Sequence, residues 1–128
     1  PPRDRYEAND DTGDRAYRMS GASRRLFATV DYWNDQDDVY AVQIERGQRM
    51  YVGLTGADPS VDLNLALWRP NTPSIESIHS VGHRIKISAR PGGRQYFSHR
   101  ARATGWYFVQ VRASSPGTTR YRLTVVKG

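Results

Sequence analysis

Apolar residues along this chain recur at every second position, not at every third or fourth. Leu26, Ala28, Val30 and Tyr32 share one phase, and Tyr40, Val42 and Ile44 resume it after the polar residues 34–38. Glu45-Arg46-Gly47-Gln48 predicts a hairpin turn into Met50, Val52 and Leu54. Val61, Leu63, Leu65 and Leu67 make the cleanest run, bracketed by Ala57-Asp58-Pro59-Ser60 and by Arg69-Pro70-Asn71-Thr72-Pro73. Later runs carry Ile85, Ile87 and Ala89, then Tyr96 and Phe97, then Tyr107, Val109 and Val111, and finally Tyr121, Leu123 and Val125. Side chains alternate faces along a strand, so this period predicts strands with one apolar face. No stretch shows the i, i+3, i+4, i+7 spacing of an amphipathic helix. About eight short strands, separated by Gly, Pro, Asn and Asp, predict an all-β chain: an antiparallel, jelly-roll-like β-sandwich.

Composition agrees with a folded sheet protein. The chain has 128 residues, the size of one domain, with 38% hydrophobic residues, eight Tyr and three Trp. It contains no Cys, which excludes disulfides, thiolate metal sites and a cysteine nucleophile. No apolar run is long enough for a membrane helix, and no membrane partner is expected. The start at Pro1-Pro2-Arg3-Asp4, without Met or an apolar leader, is what a processed or excised domain would show.

Charge is divided unevenly. Residues 1–38 carry nine acids against six arginines, a net of −3, and residues 39–128 carry four acids against thirteen bases, a net of +9. Residues 1–24 are expected to form an acidic N-terminal segment, a linker and a potential calcium-binding part of the domain, with the sandwich in 25–128. A basic body makes polyanions possible partners on charge alone.

Catalytic chemistry finds little support. There is no G-x-S-x-G elbow, and His79-Ser80-Val81-Gly82-His83 lacks the glutamate of an H-E-x-x-H helix. Outside the acidic end only Glu45, Asp58, Asp62 and Glu76 remain, with no pairing suited to glycoside hydrolysis. The expectation is a domain that is not an enzyme.

Two groups of residues suggest binding. Glu7, Asn9 and Asp10 lie close together, and Asp35, Asp37 and Asp38 form a second acidic group. Calcium takes about six to eight oxygens, which two such segments meeting at one end of a sandwich would supply. Alternatively these residues cap turns through their own side-chain hydrogen bonds. Trp33, Trp68 and Trp106 fall in the phase opposite the aliphatic core, among outward arginines. They would form a surface for an extended peptide or polyanion, or a patch covered by a neighbouring domain.

Several of these motifs occur in an order that resembles the bacterial pre-peptidase C-terminal domain. They are Asp4-x-Tyr6-Glu7-x-Asn9-Asp10, Asp35-x-Asp37-Asp38-Val39-Tyr40-x-Val42, Arg46-Gly47 and Val61-Asp62-Leu63-Asn64-Leu65-Ala66-Leu67. Thr104-Gly105-Trp106-Tyr107-Phe108-Val109-Gln110-Val111 and Tyr121-x-Leu123-x-Val125 complete the series, which spans nearly the whole chain. The resemblance implies a non-catalytic sandwich appended to a secreted, extracellular peptidase, notably a subtilisin-like one. Its partners would be the protease domain of the same precursor and protein substrate, such as collagen-like or other extended polypeptide, but not nucleic acid. The collagen-binding relatives hold calcium through residues matching Glu7, Asn9, Asp10 and Asp38. They carry a further glutamate where this chain has Arg5.

Overall fold

The computed structural model describes residues 16–21, 23–73 and 82–128. Among these, nine strands form two sheets and no helix: β1 Tyr17–Met19, β2 Ser23–Asp31, β3 Asp37–Ile44, β4 Arg49–Gly56, β5 Leu63–Trp68, β6 Arg84–Ser88, β7 Arg94–Arg100, β8 Gly105–Ala113 and β9 Thr118–Lys127. The five-stranded sheet runs β1-β3-β8-β5-β6, and the four-stranded sheet runs β2-β9-β4-β7. Pairing is antiparallel except for β1, which lies parallel to β3 with Tyr17 opposite Tyr40. That strand falls inside the 1–24 segment and adds a ninth element to the expected eight.

The core lies between the sheets and is built from the phases read in the sequence. Leu26, Val30, Val42, Ile44, Met50, Leu54, Leu63, Leu65, Val109 and Leu123 are all buried there. Burying one such side chain contributes roughly 1.5–3 kcal/mol, so these rows dominate the stability of the sandwich. Gly56 and Gly93 let two backbones meet at one end. Gly56 N–H donates to the Gly93 carbonyl at 2.8 Å, and a Cβ on Gly93 would stand 3.1 Å from the Gly56 Cα.

Two expectations fail for identifiable reasons. The outward face of the five-stranded sheet is wet only in part: Val39, Ala41, Ala66, Trp68 and Phe108 form a second buried cluster there. The interior strands β3, β8 and β5 carry Val39, Ala41, Ala66, Trp68 and Phe108 on that face between polar residues, so strict alternation does not describe them. Ile87, placed in phase with Ile85, instead points outward and is 47% exposed. A shift of register between Leu67 and Trp68 makes a bulge opposite Ile85, and one extra residue reverses the phase beyond it. Ser88 is therefore the buried residue, its hydroxyl donating to Gln95 Oε1 at 2.6 Å.

Candidate functional site

Glu7, Asn9 and Asp10 lie outside the described residues. The second acidic group is divided by strand geometry. Asp37 and Asp38 are adjacent residues of β3, so their side chains leave opposite faces. Asp37 points outward, where Arg112 Nη1 donates to its Oδ2 at 2.8 Å and Gln110 Nε2 to its Oδ1 at 2.8 Å. The ion pair is half open to water and contributes at most about 1 kcal/mol. It does, however, already neutralise the carboxylate that a cation would use. Asp38 points into the sandwich and is fully buried. The Tyr121 hydroxyl donates to Asp38 Oδ2 at 2.5 Å and lies 2.5 Å from the Tyr40 hydroxyl. With its own proton committed to Asp38, Tyr121 accepts from Tyr40. The three groups form a polar clasp between β3 and β9, one strand from each sheet. Burial, then Asp38, then Tyr40 hold the Tyr121 phenol well above its ordinary pKa. Thus Asp37 and Asp38 are strand residues facing apart, not neighbours on one loop. Among the described residues no three His, Asp or Glu side chains gather around one point.

The acid that organises the turn belongs to neither of the two acidic groups. Asp31 ends β2, and its Oδ1 accepts from the backbone N–H of Trp33 at 2.9 Å and of Asn34 at 3.1 Å. Its Oδ2 accepts from the Thr118 hydroxyl at the start of β9, while Asp31 and Asp35 exchange backbone hydrogen bonds. The legible signal was an Asp two residues before a Trp-Asn pair, the spacing of an Asx turn. The Thr118 bond, followed by the two backbone donors, lowers the Asp31 pKa against the opposing effect of burial. A carboxyl whose pKa is lowered on folding stabilises the fold above its unfolded pKa, near 3.9, and loses that contribution as pH falls through the folded value. Asp31→Ala is therefore expected to flatten the acid-unfolding step below about pH 4 and to speed hydrogen exchange at Trp33 and Asn34. Unaltered exchange at both amides would show that the turn stands without the cap.

The three tryptophans have separate fates. Trp33 rides in the Asp31 turn, 67% exposed and edge-on to Tyr32 at 5.6 Å. Trp106 is half-buried under Arg18, whose guanidinium carbon sits 4.9 Å from the ring centroid. Trp68, read as a ligand platform, is instead buried at 4% exposure, and its indole N–H donates to Gln110 Oε1 at 2.9 Å. That removes it from any surface.

Three further exposed aromatics stand on the four-stranded sheet. Phe27, Tyr51 and Tyr96 project from β2, β4 and β7 on the outward face of the four-stranded sheet, each more than half exposed. Their position follows from phase, since Leu26, Met50 and Gln95 beside them point inward. Gly53, paired with both Tyr96 and Thr124, has open space where a side chain would stand. It floors a shallow depression of about 330 Å³ walled by Tyr96, Arg94 and Arg122. Arg90 fixes the Tyr96 ring from 4.5 Å and donates to its hydroxyl at 3.2 Å.

Two sheets in this order, with the clasp at their centre, can be compared with solved structures. The pre-peptidase C-terminal domain of a Bacillus anthracis collagenase superposes with a TM-score of 0.66, covering 86% of this chain and 93% of its own, at 15% identity. The chain has the fold of a pre-peptidase C-terminal domain. That fold is shared with proteins of other roles. A periplasmic inhibitor of g-type lysozyme from Aeromonas hydrophila matches with a TM-score of 0.63 at 16% identity, covering 88% of this chain and 96% of its own. A surface-associated copper-binding protein of Methylomicrobium album matches with a TM-score of 0.61 at 10% identity, covering 88% and 98%. No protein-family model and no curated protein matches the sequence. The likeness thus establishes the pre-peptidase C-terminal fold, and fold alone does not carry function.

Proposed function

We propose that this chain is a non-catalytic accessory domain of a secreted peptidase, holding extended protein substrate near the enzyme. The observation that supports this reading best is the two-sided coverage of the collagenase domain, 86% of one chain on 93% of the other. The outward face of the four-stranded sheet supplies a surface suited to the task. Phe27, Tyr51 and Tyr96 offer apolar area, while the open groove over Gly53 admits a peptide backbone between arginines that bond its carbonyls.

Calcium belongs to the same proposal. Glu7, Asn9, Asp10 and Asp35 would hold it, and the ion would tie the N-terminal segment to the Asp31 turn. Asp37 is paired with Arg112, and a cation there would compete with the guanidinium. Asp38 serves the clasp.

The test has two parts. Incubated with insoluble collagen, gelatin and casein, the chain is expected to sediment with the polymer and release no peptides, and Tyr51→Ala/Tyr96→Ala is expected to weaken sedimentation. Turnover of any peptide, ester or glycoside substrate that a point substitution removes would overturn the non-catalytic reading. Thermal unfolding in EDTA, magnesium and calcium is expected to show a calcium-specific rise that Asp35→Asn abolishes. No rise would return the acidic residues to turn capping.

A further inference from the structure

We propose that a cationic cleft between the β6 and β7 edges binds an acidic polysaccharide, one bearing sulfate or carboxylate groups. The site is separate from the aromatic face, and the inference stands whether or not a peptidase adjoins the domain.

The cleft has a volume of about 920 Å³ and lies where the free edge of one sheet approaches the free edge of the other. Its walls carry six cations: Arg49, Arg69, Arg84, Lys86, Arg100 and Arg102. No carboxylate lines it among the described residues, and none of the six makes an ion pair there. Their internal partners are neutral. Lys86 Nζ donates to the Ser98 carbonyl at 2.7 Å, and Arg100 Nη1 to the Gly47 carbonyl at 2.7 Å. These bonds aim the heads without cancelling their charge. Arg69 is placed by the following turn, in which Thr72 Oγ1 donates to its carbonyl at 2.7 Å and Asn71 adopts a left-handed φ of 69°.

Arginines on edge strands also discourage edge-to-edge pairing. That explains Arg84, Lys86 and Arg100, but not Arg49, Arg69 and Arg102, which lie on an interior strand or in turns and converge on the same concavity. Six like charges so placed repel one another, and a bound polyanion relieves the repulsion. Guanidinium groups bind sulfate and carboxylate through paired N–H donors. Asn71 and Thr104 add neutral hydrogen-bonding groups suited to sugar hydroxyls. Of the two aromatic rings among the described lining residues, Tyr107 is buried, its hydroxyl donating to the Ala103 carbonyl at 2.7 Å, and His99 is half-buried on the wall. With no exposed Phe, Tyr or Trp among the described lining residues and His99 only half open, the cleft offers bases no stacking platform and suits a carbohydrate better than a nucleic acid.

His99 sits on the wall and reports on occupancy. It faces Arg49 from β4, Lys86 from β6, Arg102 from the turn after β7, and the Tyr107 ring of β8 at 6.1 Å. Burial, then Lys86, Arg102 and Arg49, hold its pKa below the ordinary value. A polyanion laid among those cations would raise it.

The experiment is a calorimetric titration with a heparin hexasaccharide, a neutral hexasaccharide and a single-stranded oligonucleotide of equal charge, at several salt concentrations. Heparin is expected to bind and the neutral sugar not to. Arg84→Gln/Arg102→Gln, both exposed positions, is expected to weaken binding about tenfold or more and to lower the salt slope by about two. Arg25→Gln/Arg120→Gln removes the same charge elsewhere and is expected to change affinity less than about twofold. The His99 ring, assigned through His99→Gln, is expected to titrate at higher pH in the bound state by NMR. Equal losses in the two double variants would reduce the effect to net charge and overturn the site. So would an unmoved His99, and tighter binding of the oligonucleotide would overturn the ligand class.

Discussion

Replacing Tyr121 with Phe is expected to destabilise the domain by about 1–3 kcal/mol, a fall of several degrees in melting temperature. The substitution removes one oxygen and leaves the ring in place, so the loss measures the polar clasp itself. Asp38 is fully buried and loses one donor, while Tyr40 loses one hydrogen-bond partner. A buried polar group deprived of a donor costs more than the hydrogen bond itself contributes, which places the effect toward the upper part of that range. The same clasp sets alkaline stability. A phenol whose pKa rises on folding contributes stability that is complete below its unfolded value, near 10, and is lost as pH climbs toward the folded value. Burial and Asp38 raise Tyr121 in this sense. Wild type is therefore expected to lose stability above about pH 10 more steeply than Tyr121→Phe. Chemical denaturation of Tyr121→Phe, Tyr40→Phe and the double variant measures the coupling. The double variant is expected to cost less than the two singles combined, because both act on one chain of donors. Strict additivity would mean that the hydroxyls act independently.

Trp68→Ala is expected to cost about 3–5 kcal/mol, enough to remove a large part of a small domain's stability. The indole fills the second apolar cluster among Val39, Ala66 and Phe108, and its N–H begins a chain of bonds through Gln110 to Asp37 and Arg112. Truncation leaves a cavity and frees Gln110 Oε1 from its donor. Trp68→Phe refills most of the cavity without the N–H and is expected to recover more than half the loss. Trp33→Ala, on an exposed turn, is expected to change stability by less than about 0.5 kcal/mol. Thermal and denaturant unfolding of the three variants separates these cases. Equal, small effects at positions 68 and 33 would mean that Trp68 is not packed as described.

Trp68 and Asp38 show what local spacing records and what it does not. Alternation places Trp68 on the face opposite Leu65 and Leu67, as the structure has it, but does not tell whether that face meets solvent. Facing is local and follows from the two-residue period of a strand. Whether the face is covered depends on what packs around it in space, and Val39, Ala66 and Phe108 from β3, β5 and β8 gather round the indole. Asp38 poses the same problem in reverse. Its neighbour Asp37 and the turn before it made both residues look like loop ligands. Pairing with Arg112 and Val111 of β8 extended the strand through them and turned one outward and one inward. Phe27, Tyr51 and Tyr96 were readable from phase, but only registry across four strands gathers them on one face with Gly53 between them.

The sequence by itself determined the class of fold, the inward rows from Leu26 to Val125 and the absence of thiol chemistry, because these depend on residue type and on a period of two. The turns also belonged to it, since Asn, Gly and Pro act on the backbone at their own positions. Tertiary structure alone decided the clasp of Asp38 with Tyr121, the burial of Trp68 and the convergence of six cations from Arg49 to Arg102. Each of these joins residues from different strands, and strand order and register arise from the packing of the whole sandwich, which no local spacing records.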